Sequence, residues 1–211
     1  MSRDRDPYER TLDILRRRLR AGVFGEGRHL QIQNLAQDLA VSSTPVREAL
    51  SRLLGEGLIE RGPGGYFSPR HDISSLGDLY RLDETYALAA LRRADRPKAP
   101  APQAPPSPET CAGALHLART EALLTRLGGV DDRALLWARR NLWDRLAPFR
   151  AAEVAVFDDL EAEAAAVDVA LTAERGRNIL GLIRFYYRRR LKSVRAILQA
   201  SRAGTYHLNI P

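Results

Sequence analysis

The chain has 211 residues, 45% of them hydrophobic, and carries a formal net charge of +7 with an isoelectric point near 10.0. That length and apolar content can bury one large core or two small ones. A single cysteine, Cys111, excludes an internal disulfide framework and a multi-cysteine zinc site; with no apolar run long enough for a bilayer, neither a signal peptide nor a membrane helix is expected, and the protein should be soluble and cytoplasmic.

Asp6-Pro7 is a capping side chain followed by proline at a first helical position, and Leu12, Leu15 and Leu19 then recur at helical spacing up to Gly22. A glycine-punctuated loop over residues 22–27 leads to Leu30. Ile32, Leu35, Ala36 and Leu39 mark a second, short helix ending near Val41. Ser42-Ser43-Thr44-Pro45 restarts the chain, with Thr44 as the expected cap and Pro45 in the first turn. Val46, Ala49, Leu50, Leu53 and Leu54 form the buried stripe of this third helix, which runs to Gly55. Residues 58–61 and 66–68 are strand-like runs around Gly62-Pro63-Gly64-Gly65, which reads as a hairpin. The layout is a helix-turn-helix followed by a wing.

From Ser74 the character is helical. Leu76, Leu79, Tyr80, Leu82, Asp83, Tyr86, Ala87 and Ala90 predict a helix to about Ala94. The proline-rich residues 96–108 predict an extended connection. Helices are expected near 109–127, 131–146 and 148–173, the last open to a break, and a final one spans about 174–202. The fold class is therefore mainly α: an N-terminal winged helix-turn-helix domain over residues 1–70, then an all-α helical-bundle domain over residues 71–211.

A helix that enters the major groove needs short polar donors at its start and a long forked donor about a turn later. Ser42, Ser43, Thr44 and Arg47 supply that set. The hydroxyls can bond phosphates beside the helix N-terminus, and Arg47 can grip a guanine edge with two hydrogen bonds. A solvated charge, or a pair with Glu48 or Ser51, is the alternative for Arg47. Arg52 lies further round the helix and reads equally as a phosphate contact or a surface ion. Gly64 and Gly65 let the wing backbone approach sugar and phosphate, or simply make the turn.

The spacing from Gly27 through Leu30, Leu35-Ala36, Leu39, Val41-Ser42, Thr44-Pro45-Val46-Arg47-Glu48-Ala49-Leu50, Leu53 and Gly57-Leu58-Ile59 resembles the GntR family of bacterial transcription regulators. The resemblance implies that Arg47 contacts DNA. Many members carry arginine where this chain has Gln33 and Ser43, so a different operator sequence or weaker binding is expected, with Gln33 able to bond an adenine edge or a phosphate.

The stretch Asp78-Leu79-Tyr80-x5-Tyr86-Ala87-Leu88-Ala89-Ala90 resembles the first domain helix of that family's FadR-like branch, in its all-helical subgroup. Many such domains hold a divalent metal with one acidic residue and three histidines. Here His29, His71, His116 and His207 include no two on a shared helical face, so no metal and no cofactor is expected. Without the metal, a ligand pocket would be lined by aromatics: Trp137, Trp143, Tyr186 and Tyr187, with Phe149, Phe157 and Phe185. Aromatics at this spacing also read as plain core. The cations from Arg184 to Arg195 could serve an anionic effector, extend DNA-facing charge or form a solvated face. Asp158, Asp159, Glu161 and Glu163 read as a solvated face. Residues 174–211 hold nine basic residues against one acid, a balance of +8, whereas residues 1–70 balance at only +3. Total charge is thus no argument for the winged domain.

No constellation of nucleophile, base or phosphate-cradling loop is present, so no enzyme is expected. The expected function is a transcription regulator, a repressor that binds a palindromic operator on double-stranded DNA as a homodimer and is released by a small anionic or apolar effector. The alternative is a DNA-binding dimer whose helical domain is a ligand-free dimerisation or protein-interaction module. No membrane partner is expected.

Overall fold

Asp6 opens helix α1 (Pro7–Arg20) by accepting the Tyr8 amide on its carboxylate at 3.1 Å, with Pro7 at the first position as the sequence leads one to expect. The structure, a computed structural model, describes residues 6–93, 112–127, 133–172 and 179–204. These divide into two units, one reaching Arg70 and one beginning at His71.

In the first unit, α1 is followed by α2 (Ile32–Asp38), α3 (Ser43–Gly55) and the antiparallel strands β1 (Glu60–Gly62) and β2 (Gly65–Phe67). One device ends all three helices. The amides of Gly22 and Val23 return to Leu19 and Arg18, those of Ala40 and Val41 to Gln37 and Ala36, and those of Gly57 and Leu58 to Leu54 and Leu53. Each closure needs a left-handed residue after the cap, supplied by Gly22 and Gly57 but, at the turn between α2 and α3, by Ala40 at φ 52°. Two expectations are corrected here. Helix α2 stops three residues before Val41, because the closure on Ala36 already turns the chain. Ser42, not Thr44, is the cap of α3 and makes no side-chain cap bond. Thr44 and Pro45 lie inside the first turn, where helix amides have no carbonyl partner and proline costs nothing.

Leu12, Leu15, Leu30, Leu35, Val46, Ala49, Leu50 and Leu53 form the core of this unit, joined by Leu58, Ile59 and Tyr66. The wing pairs Glu60 with Phe67, Arg61 with Tyr66 and Gly62 with Gly65. Residues 27–30 run along its other side: the Leu30 amide donates to Tyr66 at 2.8 Å, and Ser68 donates its amide to Arg28 at 2.9 Å. Buried Ser68 locks that seam, its hydroxyl donating to the Gly25 carbonyl at 2.6 Å and accepting the Arg28 amide at 2.8 Å.

The described elements of the second unit are all helical: α4 (Ile73–Arg93), α5 (Ala112–Leu127), α6 (Arg133–Ala152), a 3-10 turn over Glu153–Ala155, α7 (Leu160–Thr172), α8 (Ile179–Lys192) and α9 (Val194–Ala203). A reciprocal cap starts α4. Asp72 accepts the Ser75 amide at 2.7 Å while Ser75 Oγ accepts the Asp72 amide at 2.9 Å, and the former bond holds the Asp72 carboxyl below its usual range. The proline-rich connection over 96–108 lies outside the described residues.

Two helix boundaries differ from the sequence reading. Pro148 does not divide two helices but sits inside α6, where buried Leu146, Ala147, Phe149, Ala151 and Ala152 carry the helix past it. The break comes instead at residues 153–159. The expected final helix is two, because the Ser193 amide bonds both Arg189 at 3.2 Å and Arg190 at 3.0 Å, a local tightening that ends α8. Leu76, Tyr80, Leu146, Ile183, Tyr187 and Ile197 are central to the core, with α4 packed against α6, α8 and α9. Among the described residues, no helix is long and apolar enough to cross a membrane.

Candidate functional site

Helix α3 buries Val46, Ala49, Leu50 and Leu53 completely, which turns Ser42, Ser43, Thr44, Arg47 and Arg52 to solvent. Its first turn therefore gathers three hydroxyls and, one turn on, a guanidinium. Arg47 has no hydrogen bond or ion pair among the described residues, so Glu48 does not neutralise it and Ser51 does not bond it. Ser51 is engaged elsewhere, its Oγ 2.9 Å from the hydroxyl of Tyr66.

Arg52 is placed differently from Arg47. Its Nε donates to Glu56 at 2.8 Å, and Arg16 of α1 meets the other oxygen of Glu56 at 2.7 Å. Burial pushes the Glu56 carboxyl up, but the two guanidiniums outweigh it and hold the group below its ordinary value. Arg52 thus belongs to a clamp between α1 and α3. Gln33 is exposed on α2. At the wing tip Gly64, directly after Pro63, has φ 83° and open space around it, the positive φ that a type II turn takes at its third residue. Gly65 is crowded: a Cβ there would stand 2.7 Å from Nε2 of His29. His29, Arg61 and Tyr66 were not singled out from sequence. Arg61 and Tyr66 could have been, since they oppose each other across the hairpin, and the guanidinium lies 4.9 Å from the ring centroid.

The second unit holds two buried polar clusters that periodicity did not disclose. Asp83 of α4 accepts from Arg150, from the Tyr187 hydroxyl at 2.6 Å and from the Trp143 indole at 3.2 Å, with Arg139 at 3.5 Å. Glu153 accepts from Tyr80 on Oε1 at 2.8 Å and from Arg190 on Oε2 at 2.9 and 3.0 Å, with His116 Nε2 also 2.9 Å from Oε2. Arg190 also donates to Glu163 at 2.8 Å and lies 3.4 Å above the Tyr186 ring. Burial alone would raise the Glu153 carboxyl; Arg190 and His116 overcome it and bring it down to about 2. Burial and the Asp83 charge push the Tyr187 phenol up, and burial and the Glu153 charge do the same for Tyr80.

Several expectations change with these contacts. Arg190 is in the core rather than on a solvated face, and Glu163 is drawn in with it. Arg189 pairs with Asp159 and Glu163, while Arg184, Arg188, Lys192 and Arg195 are exposed. Trp137 is 69% exposed and Phe185 57%, so neither lines an interior pocket. Trp143, Tyr186 and Tyr187 do lie against the buried clusters. Three buried donors there have no hydrogen-bond partner among the described residues: Nε and Nη1 of Arg150 and the hydroxyl of Tyr186. A metal of the kind held by one acid and three histidines does not fit, since Asp83 faces guanidiniums and a phenol and His116 is committed to Glu153. Among the described residues no group of three potential ligands could hold an ion.

Residues 7–67 match the family described as bacterial regulatory proteins, gntR family. The fold is also that of a putative transcriptional regulator GntR from Rhodococcus sp. RHA1, 17% identical over 90% of this chain and 97% of that one with a TM-score of 0.66. McbR/YncC of E. coli is similar too, 18% identical over 90% of this chain and 98% of its own, with a TM-score of 0.64. No curated protein matches the chain.

Proposed function

We propose that the chain is a sequence-specific DNA-binding transcription regulator, a repressor that binds a palindromic operator as a homodimer. The observation that carries this is Arg47, exposed and unengaged one turn beyond Ser42, Ser43 and Thr44, on a helix of a domain whose residues 7–67 match a family of bacterial regulators. In this reading Arg47 grips a base edge, the three hydroxyls and Gln33 meet phosphates or an adenine, and the backbone at Gly64 and Gly65 approaches the minor groove. Arg52 serves mainly to clamp α1 to α3. One α3 helix spans too few base pairs to specify a site, which is the ground for a two-fold dimer.

We place the helical unit in the FadR-like branch, in a form that has given up its metal, with an effector that is anionic rather than apolar. The unpaired buried donors of Arg150 and Tyr186 support that choice, because guanidinium and phenol donors suit a carboxylate or similar acceptor. Tyr186→Phe tests it, since the hydroxyl has no hydrogen-bond partner among the described residues. The variant should melt as wild type yet lose stabilisation by the acid that a screen of small carboxylates and phosphates selects. A screen in which no anion raises the melting temperature or weakens DNA binding returns the helical unit to a ligand-free dimerisation module. For DNA, selection from random duplexes should enrich inverted repeats, and sedimentation should show a dimer. Enrichment of no sequence overturns the reading.

A further inference from the structure

The wing tip has no side chain able to donate a hydrogen bond. Gly62, Pro63, Gly64 and Gly65 make it up, and Pro63 lacks even an amide hydrogen. A donor nonetheless stands there, supplied by the neighbouring chain segment. His29 forms a bridge with Phe67 of β2, and its ring stacks on Phe67 with centroids 4.8 Å apart and planes 20° from parallel. Its Nε2 comes to 2.7 Å from the position a Cβ would take on Gly65, so the imidazole lies over bare backbone beside the tip. Pairing of Glu60 with Phe67 and of Gly62 with Gly65 puts Glu60, His29, Phe67 and both glycines on one face of the wing, with Glu60 across β2 from His29; Arg61 and Tyr66 take the other.

A flat ring over a strand glycine has a packing role, and Phe67 plays it over Gly62, where a Cβ would meet the ring at 2.9 Å. Phenylalanine at position 29 would do the same over Gly65. Packing leaves the imidazole nitrogens unused. His29 is exposed, and among the described residues no hydrogen bond or ion pair engages its ring. A donor already fixed by stacking gives up little rotamer freedom when a ligand arrives. We propose that His29 is a DNA contact of the wing, its Nε2–H donating to a phosphate oxygen of the strand beside the glycine tip. This rests on the DNA-binding reading above.

The test pairs His29→Phe, which keeps the stack and removes the donor, with Arg47→Ala, in the full chain on a selected operator and a random duplex. His29→Phe should leave the melting temperature unchanged and weaken both duplexes equally, about three- to tenfold. His29→Gln, which restores a donor, should recover part of that loss, and it carries the comparison should the phenylalanine variant melt early. Wild-type binding by His29→Phe alongside weakened binding by Arg47→Ala overturns the inference and leaves the reading standing. Wild-type binding by both overturns the reading itself. A loss in His29→Phe confined to the operator also overturns the inference, since a phosphate contact does not distinguish sequences.

Discussion

The hydroxyl of Tyr66 in the wing and Oγ of Ser51 in α3 share a hydrogen bond of 2.9 Å, across 15 residues of sequence. Tyr66 is otherwise a core residue, so this bond joins the wing to the exposed Ser51 of α3. Tyr66→Phe retains the ring and deletes the tie. It should cost about 1 kcal/mol of stability and weaken DNA binding severalfold, read by thermal melting and duplex titration. Unchanged affinity would mean that the wing keeps its angle without the bond.

Arg47 and Arg52 should separate in opposite senses. Arg47→Ala removes an unengaged side chain, so stability should hold while DNA binding loses about 1–3 kcal/mol and discrimination relaxes at one base pair in each half-site. Arg52→Ala should leave base preference intact, and its stability loss should stay under about 1 kcal/mol because the side chain is largely exposed and Arg16 remains on Glu56. Titration of both variants against a panel of single-base operator changes decides the assignment.

Ala40 holds a left-handed backbone at φ 52° in the turn between α2 and α3. Replacing it with glycine relieves about 1 kcal/mol of strain but frees the unfolded chain by a similar amount, so Ala40→Gly should be nearly neutral. Ala40→Val should cost more than about 1 kcal/mol, because a β-branched residue tolerates that conformation poorly. Equal denaturation midpoints for the two variants would argue against the left-handed turn.

The Glu153 carboxyl, held at about 2 against an ordinary 4.5, links the helical unit to pH. A depressed carboxyl contributes its stabilisation in full above about pH 4.5 and loses it as the pH falls toward 2, an effect on the order of 3 kcal/mol. Melting temperature should therefore fall across that window. Glu153→Gln should lose less than the roughly 3–5 kcal/mol of a fully broken buried pair at neutral pH, because Glu163 still pairs with Arg190, and should show a shallower acid limb than wild type. An acid limb of undiminished slope would assign the transition to other carboxylates.

What the sequence made legible was local. Asp6-Pro7, the Gly22 and Gly57 stops, the α3 stripe and the glycine-rich hairpin all act within a few residues, where capping, periodicity and turn chemistry operate. The errors share a different origin. Arg188, Arg189 and Arg190 are chemically alike in the sequence, and only partners 26 to 37 residues away decide that two of them are paired and one is buried. Pro148 signals a helix end that packing overrides. Ser193 breaks a helix with no glycine or proline to announce it. In the candidate interface, Ser42, Ser43, Thr44 and Arg47 followed from spacing on one helix, whereas His29 required knowing which strand lies beside the wing.

The buried acids of the helical unit are each held by groups from several helices: Asp83 of α4 by α6 and α8, Glu153 by α4, α5 and α8. Loss of a partner takes a hydrogen bond or a counter-charge from an acid that stays in the interior, so single replacements at these positions are penalised until a second, matching one arises. The exposed cations Arg184, Arg188, Lys192 and Arg195 carry no such debt. Descendants of this chain should therefore alter the interior in coordinated sets and the surface of α8 and α9 one residue at a time.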